Sequence, residues 1–215
     1  MHRLIFEKKG DSVWISHLDT MRVFQRAFRR AGCMLKHSQG FTPRAIVSIA
    51  LPLSVGVESC CELLDYELEY GEITPEKLNA VLPSGFKVLQ IVENGRKIKE
   101  LTYLRAKLLL TYDKGVSEEL IRDLEALYHR DSLVLEKHSR KGKAETDILP
   151  MLKSMDLKLI DDNTLEMVVF VCAQNPSLNP QLLINAIEIY EPDLMPDGVV
   201  ICREEIFDAD GVIFR

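Results

Sequence analysis

The sequence predicts an α+β protein built from two ferredoxin-like (split βαβ) halves in tandem, with antiparallel sheets and helices on one face. Three observations predict this fold class. Residues 1–94 alternate β-rich runs with helical segments in the order β-α-β-β-α-β. Residues 101–215 return to a similar order, and the polar, glycine-containing residues 94–100 between them are typical of a linker. We therefore expect two domains, residues 1–94 and residues 101–215.

Runs of β-forming residues bounded by turn residues define the strands. In the first half the predicted strands are residues 4–8, 45–53, 60–70 and 86–92. In the second half they are residues 101–112, 133–136, 165–172 and 199–202. Three shorter helices are predicted over residues 74–82, 117–129 and 179–189. Residues 140–160 fit this order least well and predict an irregular excursion in the second half.

The longest helix of the first half is predicted over residues 17–31. Its apolar residues recur three or four apart and form one stripe, made of Leu18, Met21, Phe24, Phe28 and Ala31. Ser16 is placed to cap the first turn, with Asp19 near the positive helix end. Gly32 is expected to end the helix, and Trp14, the single tryptophan, is expected in the core.

The composition predicts a cytoplasmic globular protein. Of the 215 residues 47% are hydrophobic and 28% are charged, which is a normal globular balance. No apolar run approaches the roughly 18 residues of a membrane span, and the N-terminus lacks a signal core. Five scattered cysteines without a CxxC pair predict reduced thiols. We expect no cofactor in this chain and no membrane partner.

The net charge of −6 conceals an asymmetry along the chain. Residues 1–50 hold nine Lys or Arg against three Asp or Glu, whereas residues 151–215 hold four against twelve. The first fifty residues therefore predict an anionic partner, unless the two ends of the chain attract each other or simply face solvent.

A basic face is predicted on the first helix. Arg22, Arg26 and then Arg29 or Arg30 are spaced by three or four residues, opposite the apolar stripe. Guanidinium groups suit phosphates because each is a planar, permanently charged fork of donors. Only Asp19 on this helix is acidic, and capping accounts for it, so we expect the arginines to lack local partners. An anion-binding surface and a solvated helix face both remain open.

The loop SQGFTPR over residues 38–44 is the second candidate. A glycine lets such a turn expose its backbone amides to an anion, although one glycine is far from a P-loop or dinucleotide pattern. Phe41 is predicted to stack on a base, and the alternative is that it fills the core. The loop residues predicted to bind phosphate are Ser38, Gln39, Gly40 and Arg44.

His17 is the candidate catalytic residue, because a neutral histidine beside a phosphate-binding face can act as a general base. A histidine at a helix start is equally a tolerated polar residue, and His37 is a weaker candidate still. No HxH, HExxH or CxxC spacing predicts a metal site, and no serine-nucleophile or kinase motif occurs.

A secondary basic patch is predicted at a hairpin tip in the second half. It consists of Lys137, Arg140, Lys141 and Lys143. The patch either extends the phosphate-binding surface or only keeps an exposed loop soluble. Asp147, which follows it, is expected to anchor the loop by a local hydrogen bond.

Several spaced motifs resemble a known family. They are SHLD (16–19), Arg22, RRAG (29–32), SQGF with Pro43, LPL (51–53) and GVES (56–59), followed by Asp147, Pro180 and Arg203. This pattern resembles a radical-SAM-linked family of uncharacterised proteins, a domain found alone or fused behind a B12-binding-type radical SAM domain. The loop reads FTPRAIVS where that family has a pattern nearer FNPHPKIS, and residue 37 is His where Tyr is commoner.

The resemblance implies a radical SAM enzyme as partner and, through neighbouring ribosomal-protein and ribonuclease genes, an association with RNA. The chain lacks the CxxxCxxC cluster motif and cannot perform radical chemistry itself. The leading hypothesis is a non-catalytic adaptor that binds RNA, or another phosphate-rich substrate, for that enzyme. Two alternatives remain open: a small metal-independent RNA-processing enzyme that uses His17, and a protein-interaction module that docks an acidic partner surface.

Overall fold

The computed structural model describes residues 1–139 and 142–215 and separates the chain into two units. Unit 1 comprises Met1–Glu100 together with Ile213–Arg215, and unit 2 comprises Leu101–Val212. Both are mixed α+β with antiparallel strand pairing and few helices, which confirms the fold class at that level. The assignment of each half to the ferredoxin-like fold stays a prediction. Among the described residues no helix is both long and apolar enough to cross a membrane.

Unit 1 has one main sheet and a short ribbon. Its strands are β1 (His2–Lys8), β2 (Met34–Leu35), β3 (Val47–Ile49), β4 (Glu58–Tyr66), β5 (Leu68–Tyr70) and β6 (Phe86–Glu93). Its helices are α1 (His17–Arg30) and α2 (Pro75–Asn79). The main sheet runs β6-β1-β4-β3 with antiparallel neighbours, and β2 pairs with β5 in the ribbon. The predicted strand over 60–70 is therefore broken at Glu67, and β5 leaves the main sheet.

The core of unit 1 lies between the main sheet and its two helices. The ring centroids of Phe6 and Phe24 are 4.5 Å apart, and those of Phe28 and Tyr66 are 4.9 Å apart. Leu78 of α2 is fully buried in the same cluster, so both helices cover one face of the sheet. This packing fixes which side of α1 remains open to solvent.

Helix α1 begins and ends close to the predicted positions, and its cap is confirmed. Ser16 Oγ accepts a hydrogen bond from Asp19 N over 3.2 Å and donates to Asp19 Oδ2 over 2.8 Å. The predicted apolar stripe is wrong at Leu18, which is 67% exposed. At about 100° per residue, Leu18 lies about 120° around the helix from Phe24. Thr20 takes the buried place in that turn instead.

Trp14 is not in the core, contrary to the prediction. It ends a short 3-10 helix, Gly10–Trp14, and is 71% exposed. Its ring lies against Gly56, where a Cβ atom would meet the ring at 3.5 Å. A tryptophan between β1 and α1 is therefore displayed on the surface of unit 1.

Unit 2 repeats the strand order of unit 1. Its strands are β7 (Tyr103–Thr111), β8 (Val134–Ser139), β9 (Gly142–Asp147), β10 (Leu152–Asp161), β11 (Thr164–Cys172) and β12 (Gly198–Phe207). Its helices are α3 (Glu118–Tyr128) and α4 (Gln181–Tyr190). The sheet runs β12-β7-β11-β10, and β8 pairs with β9. Each main sheet has four strands. When these four are numbered 1 to 4 along the chain, both sheets have the spatial order 4-1-3-2.

The segment over residues 140–160 contains β9 and most of β10 within the described residues. No residue of β10 is fully buried, so its sequence lacks the strict apolar alternation by which strands are recognised. Tyr128 at the end of α3 donates its hydroxyl to Leu183 O of α4 over 2.8 Å, which ties the two helices of unit 2 together.

Candidate functional site

The arginine face of α1, defined as Arg22, Arg26 and Arg29, is the first candidate surface. Spacings of four and three residues put these side chains on one side of the helix, and about 10 Å separates the first from the last along its axis. All three are exposed. Across the described residues, Arg26 and Arg29 make no side-chain hydrogen bond or ion pair. Two cations on this face are therefore available to an anion.

Arg22 has a partner, which corrects the expectation that all these arginines are unpaired. Its Nη1 atom lies 2.7 Å from Asp19 Oδ1, one turn earlier on the same helix. The Ser16 hydroxyl, which donates to the Asp19 carboxylate, and the Arg22 guanidinium hold the pKa of Asp19 below its usual value. Asp19 therefore stays ionised near neutral pH, and a phosphate must compete with it for Arg22.

Arg30 is also engaged and points away from the arginine face. Its Nη2 atom donates to Val81 O, just beyond α2, over 2.6 Å. The contact joins the end of α1 to the segment that follows α2, so Arg30 has a structural role in unit 1. Among the predicted phosphate-binding arginines of α1, Arg26 and Arg29 are thus the two without a bonded partner in the described part of the chain.

The glycine loop, residues 38–44, is the tip of a hairpin. An isolated antiparallel bridge between His37 and Ala45 closes its base. Ser38 N donates to Arg44 O over 2.8 Å, and Arg44 N donates to Ser38 Oγ over 3.1 Å. These bonds hold the ends of the loop together, and the Arg44 side chain extends into solvent without a hydrogen bond to any described residue.

The tip of the loop exposes an aromatic ring. Gly40 has φ +141, in the region that favours glycine, and a Cβ atom there would meet nothing within 4 Å. Gln39 is exposed beside it, and Phe41 has an exposed fraction of 112%. The alternative that Phe41 fills the core is therefore wrong, and its ring is open to a stacking partner.

Two cavities adjoin these surfaces. The α1 cavity, of about 180 Å³, lies between α1 and β2 and is lined by Gln25 and Arg29, by residues 33–35, and by His37 and Ala45. The loop cavity, of about 570 Å³, lies under the glycine loop and is lined by residues 36–40, Pro43, Leu68 and Glu69. His37 lines both cavities. Through His37, which the sequence ranked below His17, the linings of the two cavities connect Arg29 with Ser38, Gln39 and Gly40.

His17 lies at the opposite end of α1, about 18 Å along the helix from Arg29. It lines a void of about 10 Å³ with Lys8, Thr20 and Glu62, a space about the size of one water. The Oγ1 atom of Thr20 is buried there without a hydrogen-bond partner among the described residues. The structure does not bring His17 to the α1 cavity, and its catalytic role stays a prediction.

Lys8 and Glu62 are buried charged residues on the neighbouring strands β1 and β4, and neither belongs to a recognised sequence motif. They are 2% and 4% exposed. Lys8 Nζ donates to Ile15 O over 2.6 Å and to Val13 O over 3.4 Å. Burial lowers the pKa of Lys8, and the charge of Glu62 opposes that shift. This pair lies under the start of α1 and holds the segment that leads into it.

The secondary basic patch falls largely outside the described residues. Arg140 and Lys141 lie outside them, as do the side chains of Lys137 and Lys143, whose backbones belong to β8 and β9. Asp147 anchors this hairpin as predicted, because its Oδ1 atom accepts hydrogen bonds from Leu133 N over 2.9 Å and Leu149 N over 3.2 Å. In the described ranges no group of three His, Cys, Asp or Glu residues converges on a metal position.

A family profile described as "Uncharacterized protein conserved in bacteria (DUF2344)" matches residues 2–180. No curated protein matches the chain in sequence. The description of this family names no activity. The geometry of the site is therefore the basis for inferring its chemistry.

Two solved structures are similar at 10% sequence identity. A chain of the Cbf5–Nop10–Gar1 complex matches with a TM-score of 0.55, over 97% of this chain and 50% of that chain. A chain of the archaeal box H/ACA sRNP Nop10–Cbf5 complex matches with a TM-score of 0.48, over 94% and 46%. This chain spans about half the length of each. At that identity the first likeness describes the fold alone.

Proposed function

The chain belongs to the bacterial protein family DUF2344, and we propose that it is a non-catalytic cytoplasmic adaptor that binds RNA, or another phosphate-rich substrate, for a partner radical SAM enzyme. The observation that carries the proposal is the pair of exposed guanidinium groups of Arg26 and Arg29, which bond to no described residue. Arg29 also lines the α1 cavity, which shares His37 with the loop cavity. Unpaired charges of one sign on a helix repel each other, and a polyanion removes that repulsion.

Each part of the surface has a distinct task in this proposal. Arg26 and Arg29 bind successive phosphates, because guanidinium groups match phosphate geometry and remain charged. Arg44 and the backbone of the glycine loop hold a further phosphate. Phe41 stacks on a base, which adds affinity without sequence selection. The partner enzyme is inferred from the motif resemblance over residues 16–59.

The shared strand order supports a further part of the proposal, namely that each unit is a ferredoxin-like domain. Two interleaved βαβ crossovers generate an antiparallel sheet in which the first and third strands are neighbours. Both units have that arrangement, with β1 beside β4 and β7 beside β11. The proposed adaptor is then a tandem of two such domains, of which the first binds the substrate.

Charge reversal on the arginine face tests the proposal. We expect Arg26→Glu with Arg29→Glu to weaken binding of a labelled single-stranded RNA at low salt by at least about tenfold, because each lost charge-assisted contact is worth about 1.5 kcal/mol or more. The matched control is Lys114→Glu with Arg122→Glu, two exposed residues of unit 2 whose reversal changes the net charge equally. Equal affinities for the wild type and the arginine-face variant would refute RNA binding at this surface.

A second candidate function, a protein-interaction module, is favoured by the exposure of Trp14. Aromatic anchors dominate protein interfaces, and this ring is displayed close to the start of α1. In that case an acidic partner is captured in a pull-down from nuclease-treated extract, and Trp14→Ala abolishes the capture. The adaptor predicts that the purified Trp14→Ala protein still binds RNA, and this result distinguishes it from the interaction module.

A further inference from the structure

The α1 cavity has a closed apolar floor and a polar rim. Cys33 and Leu35 are 6% exposed and form the floor. Met34 and Ala45 continue the apolar wall, whereas Gln25, Arg29 and His37 supply the polar groups. Small-molecule sites share this composition, in which apolar walls surround a few polar groups that fix orientation.

The size of the α1 cavity sets an upper limit on its occupant. Its volume is about 180 Å³, and an apolar cavity of about 150 Å³ holds one benzene molecule. One six-membered ring with its substituents therefore matches this volume better than the larger bicyclic ring of a purine does. The apolar floor favours an occupant that is itself partly apolar.

The cysteine of the floor is a buried thiol. Cys33 Sγ donates to Glu72 O over 3.5 Å, and burial raises the pKa of the thiol. The group is therefore a neutral thiol near pH 7, which packs like a small apolar side chain. Cys33 thus contributes to the apolar surface of the floor.

The polar groups of the rim match the edge of a nucleobase. The Gln25 amide offers both a donor and an acceptor, and the His37 imidazole offers one of each in its neutral form. Unstacked bases in single-stranded RNA are recognised in this way, through hydrogen bonds to their polar edges and contacts to their faces. Arg29 lines the same cavity, and its guanidinium group suits the phosphate of a nucleotide whose base is inserted there.

The loop cavity gives the strand a path beyond the inserted base. It shares His37 with the α1 cavity, and Ser38, Gln39 and Gly40 also line it. Arg26 extends the arginine face on the other side of Arg29. A strand that inserts one base can therefore keep a phosphate on each side of it within reach of this surface.

We infer that the α1 cavity is a recognition pocket for one unstacked pyrimidine base of single-stranded RNA, read by Gln25 and His37 while Arg29 holds its phosphate. The inference rests on the proposed RNA-binding function and adds the base class and the residues that select it. It also assigns His37 a role as a specificity residue.

Three oligonucleotides of equal length and charge test the inference with wild-type protein. They are an oligoadenylate, the same strand with one central uridine, and the same strand with one central abasic site. In fluorescence anisotropy we expect the uridine strand to bind about tenfold more tightly than either of the others. Equal affinity for all three overturns the pocket and leaves the proposed function intact, whereas no binding of any strand overturns both. Weaker binding of the abasic strand alone, with adenine equal to uracil, overturns pyrimidine selection.

A cavity-filling variant locates the selectivity. Ala45→Leu places a larger side chain in the α1 cavity, and we expect it to abolish the preference, so that the uridine strand and oligoadenylate bind this variant with equal affinity. Ala209→Leu is the matched control, because Ala209 is exposed in unit 2 and should leave the preference intact. A uridine preference that persists in a folded Ala45→Leu protein contradicts the assignment. If that variant fails to fold, the wild-type comparison still decides.

Discussion

The ammonium group of Lys8 donates to the carbonyl oxygen of Ile15 over 2.6 Å, at the residue that directly precedes the Ser16 cap of α1. Lys8 is the last residue of β1, so this bond joins the end of a central strand to the entry of the helix. A buried lysine therefore sets where α1 begins. Through the fixed pitch of the helix, it also sets which way Arg26 and Arg29 face.

Removal of the Lys8 charge should destabilise the protein strongly. Lys8→Met removes the ammonium group that donates to Ile15 O and whose charge acts on the buried Glu62 carboxylate, and loss of a hydrogen bond from a charged donor costs about 1.5–3 kcal/mol. Urea denaturation followed by circular dichroism measures the change. Glu62→Gln should lower the free energy of unfolding by less in the Lys8→Met protein than in the wild type, because the two charges interact. Strictly additive changes in the free energy of unfolding argue against that coupling.

Stability should fall in alkaline solution as the buried tyrosines ionise. Burial raises the pKa of Tyr66 to about 12, whereas an unfolded tyrosine titrates near 10. Between about pH 10 and pH 12 the unfolded chain releases this proton and the native state retains it, so rising pH favours unfolding. We expect Tyr66→Phe to show a smaller drop in melting temperature across this range. Tyr70→Phe, which alters an exposed ring, is the control and should behave as the wild type.

Asp19 should act as an internal competitor of the phosphate. Its carboxylate holds Arg22 at 2.7 Å and stays ionised, so Asp19→Asn releases a third guanidinium group on the arginine face. We expect RNA affinity to rise a few-fold at low salt and the salt dependence of log K to steepen by about 0.7, the contribution of one more phosphate contact on a single strand. Titrations at several salt concentrations measure both. Asp123→Asn on α3 is the control, because it removes one negative charge at an exposed position of unit 2. An equal gain in RNA affinity for this variant would show that net charge, and not the release of Arg22, causes the effect.

Phe41 should contribute to binding and not to folding. Its ring is fully exposed, so Phe41→Ala should leave the melting temperature unchanged, whereas Phe24→Ala in the core should cost about 3–5 kcal/mol. Loss of one stacked base should weaken single-stranded RNA binding by about 1–3 kcal/mol. Unaltered RNA affinity of the Phe41→Ala protein removes stacking from the proposal.

The first helix could be predicted well because its signals are local. Ser16 and Asp19 lie one turn apart and form the expected cap, and Gly32 follows the last turn. The environment of Trp14 depends instead on Gly56, forty-two positions along the chain, which no periodicity reveals. The same holds for Arg30, whose partner Val81 comes from the far side of α2. The environments of Trp14 and Arg30 are thus set by long-range contacts, whereas the partner of Arg22 lies on the same helix.

The site itself could be predicted in part. The arginine spacing located Arg26 and Arg29, but the two cavities exist only because β2 and the base of the glycine loop fold back beside α1. That fold places His37 in the lining of both cavities, and no sequence motif indicates this position. Lys8 left a signal in the sequence, because it follows Leu4 and Phe6 on the buried face of β1. A charge at a core position of a strand marks a buried polar contact.

The repeated strand order gives the two helices α1 and α3 equivalent positions, each after the first strand of its own sheet. Their charges are opposite. The last three turns of α1 carry four arginines, whereas α3 carries Glu118, Glu119, Asp123 and Glu125 against one arginine. One architecture thus carries a basic helix in unit 1 and an acidic helix in unit 2. The proposed function therefore gives each chain one binding site for a polyanion, on unit 1, because the acidic α3 repels the same ligand from the equivalent face of unit 2.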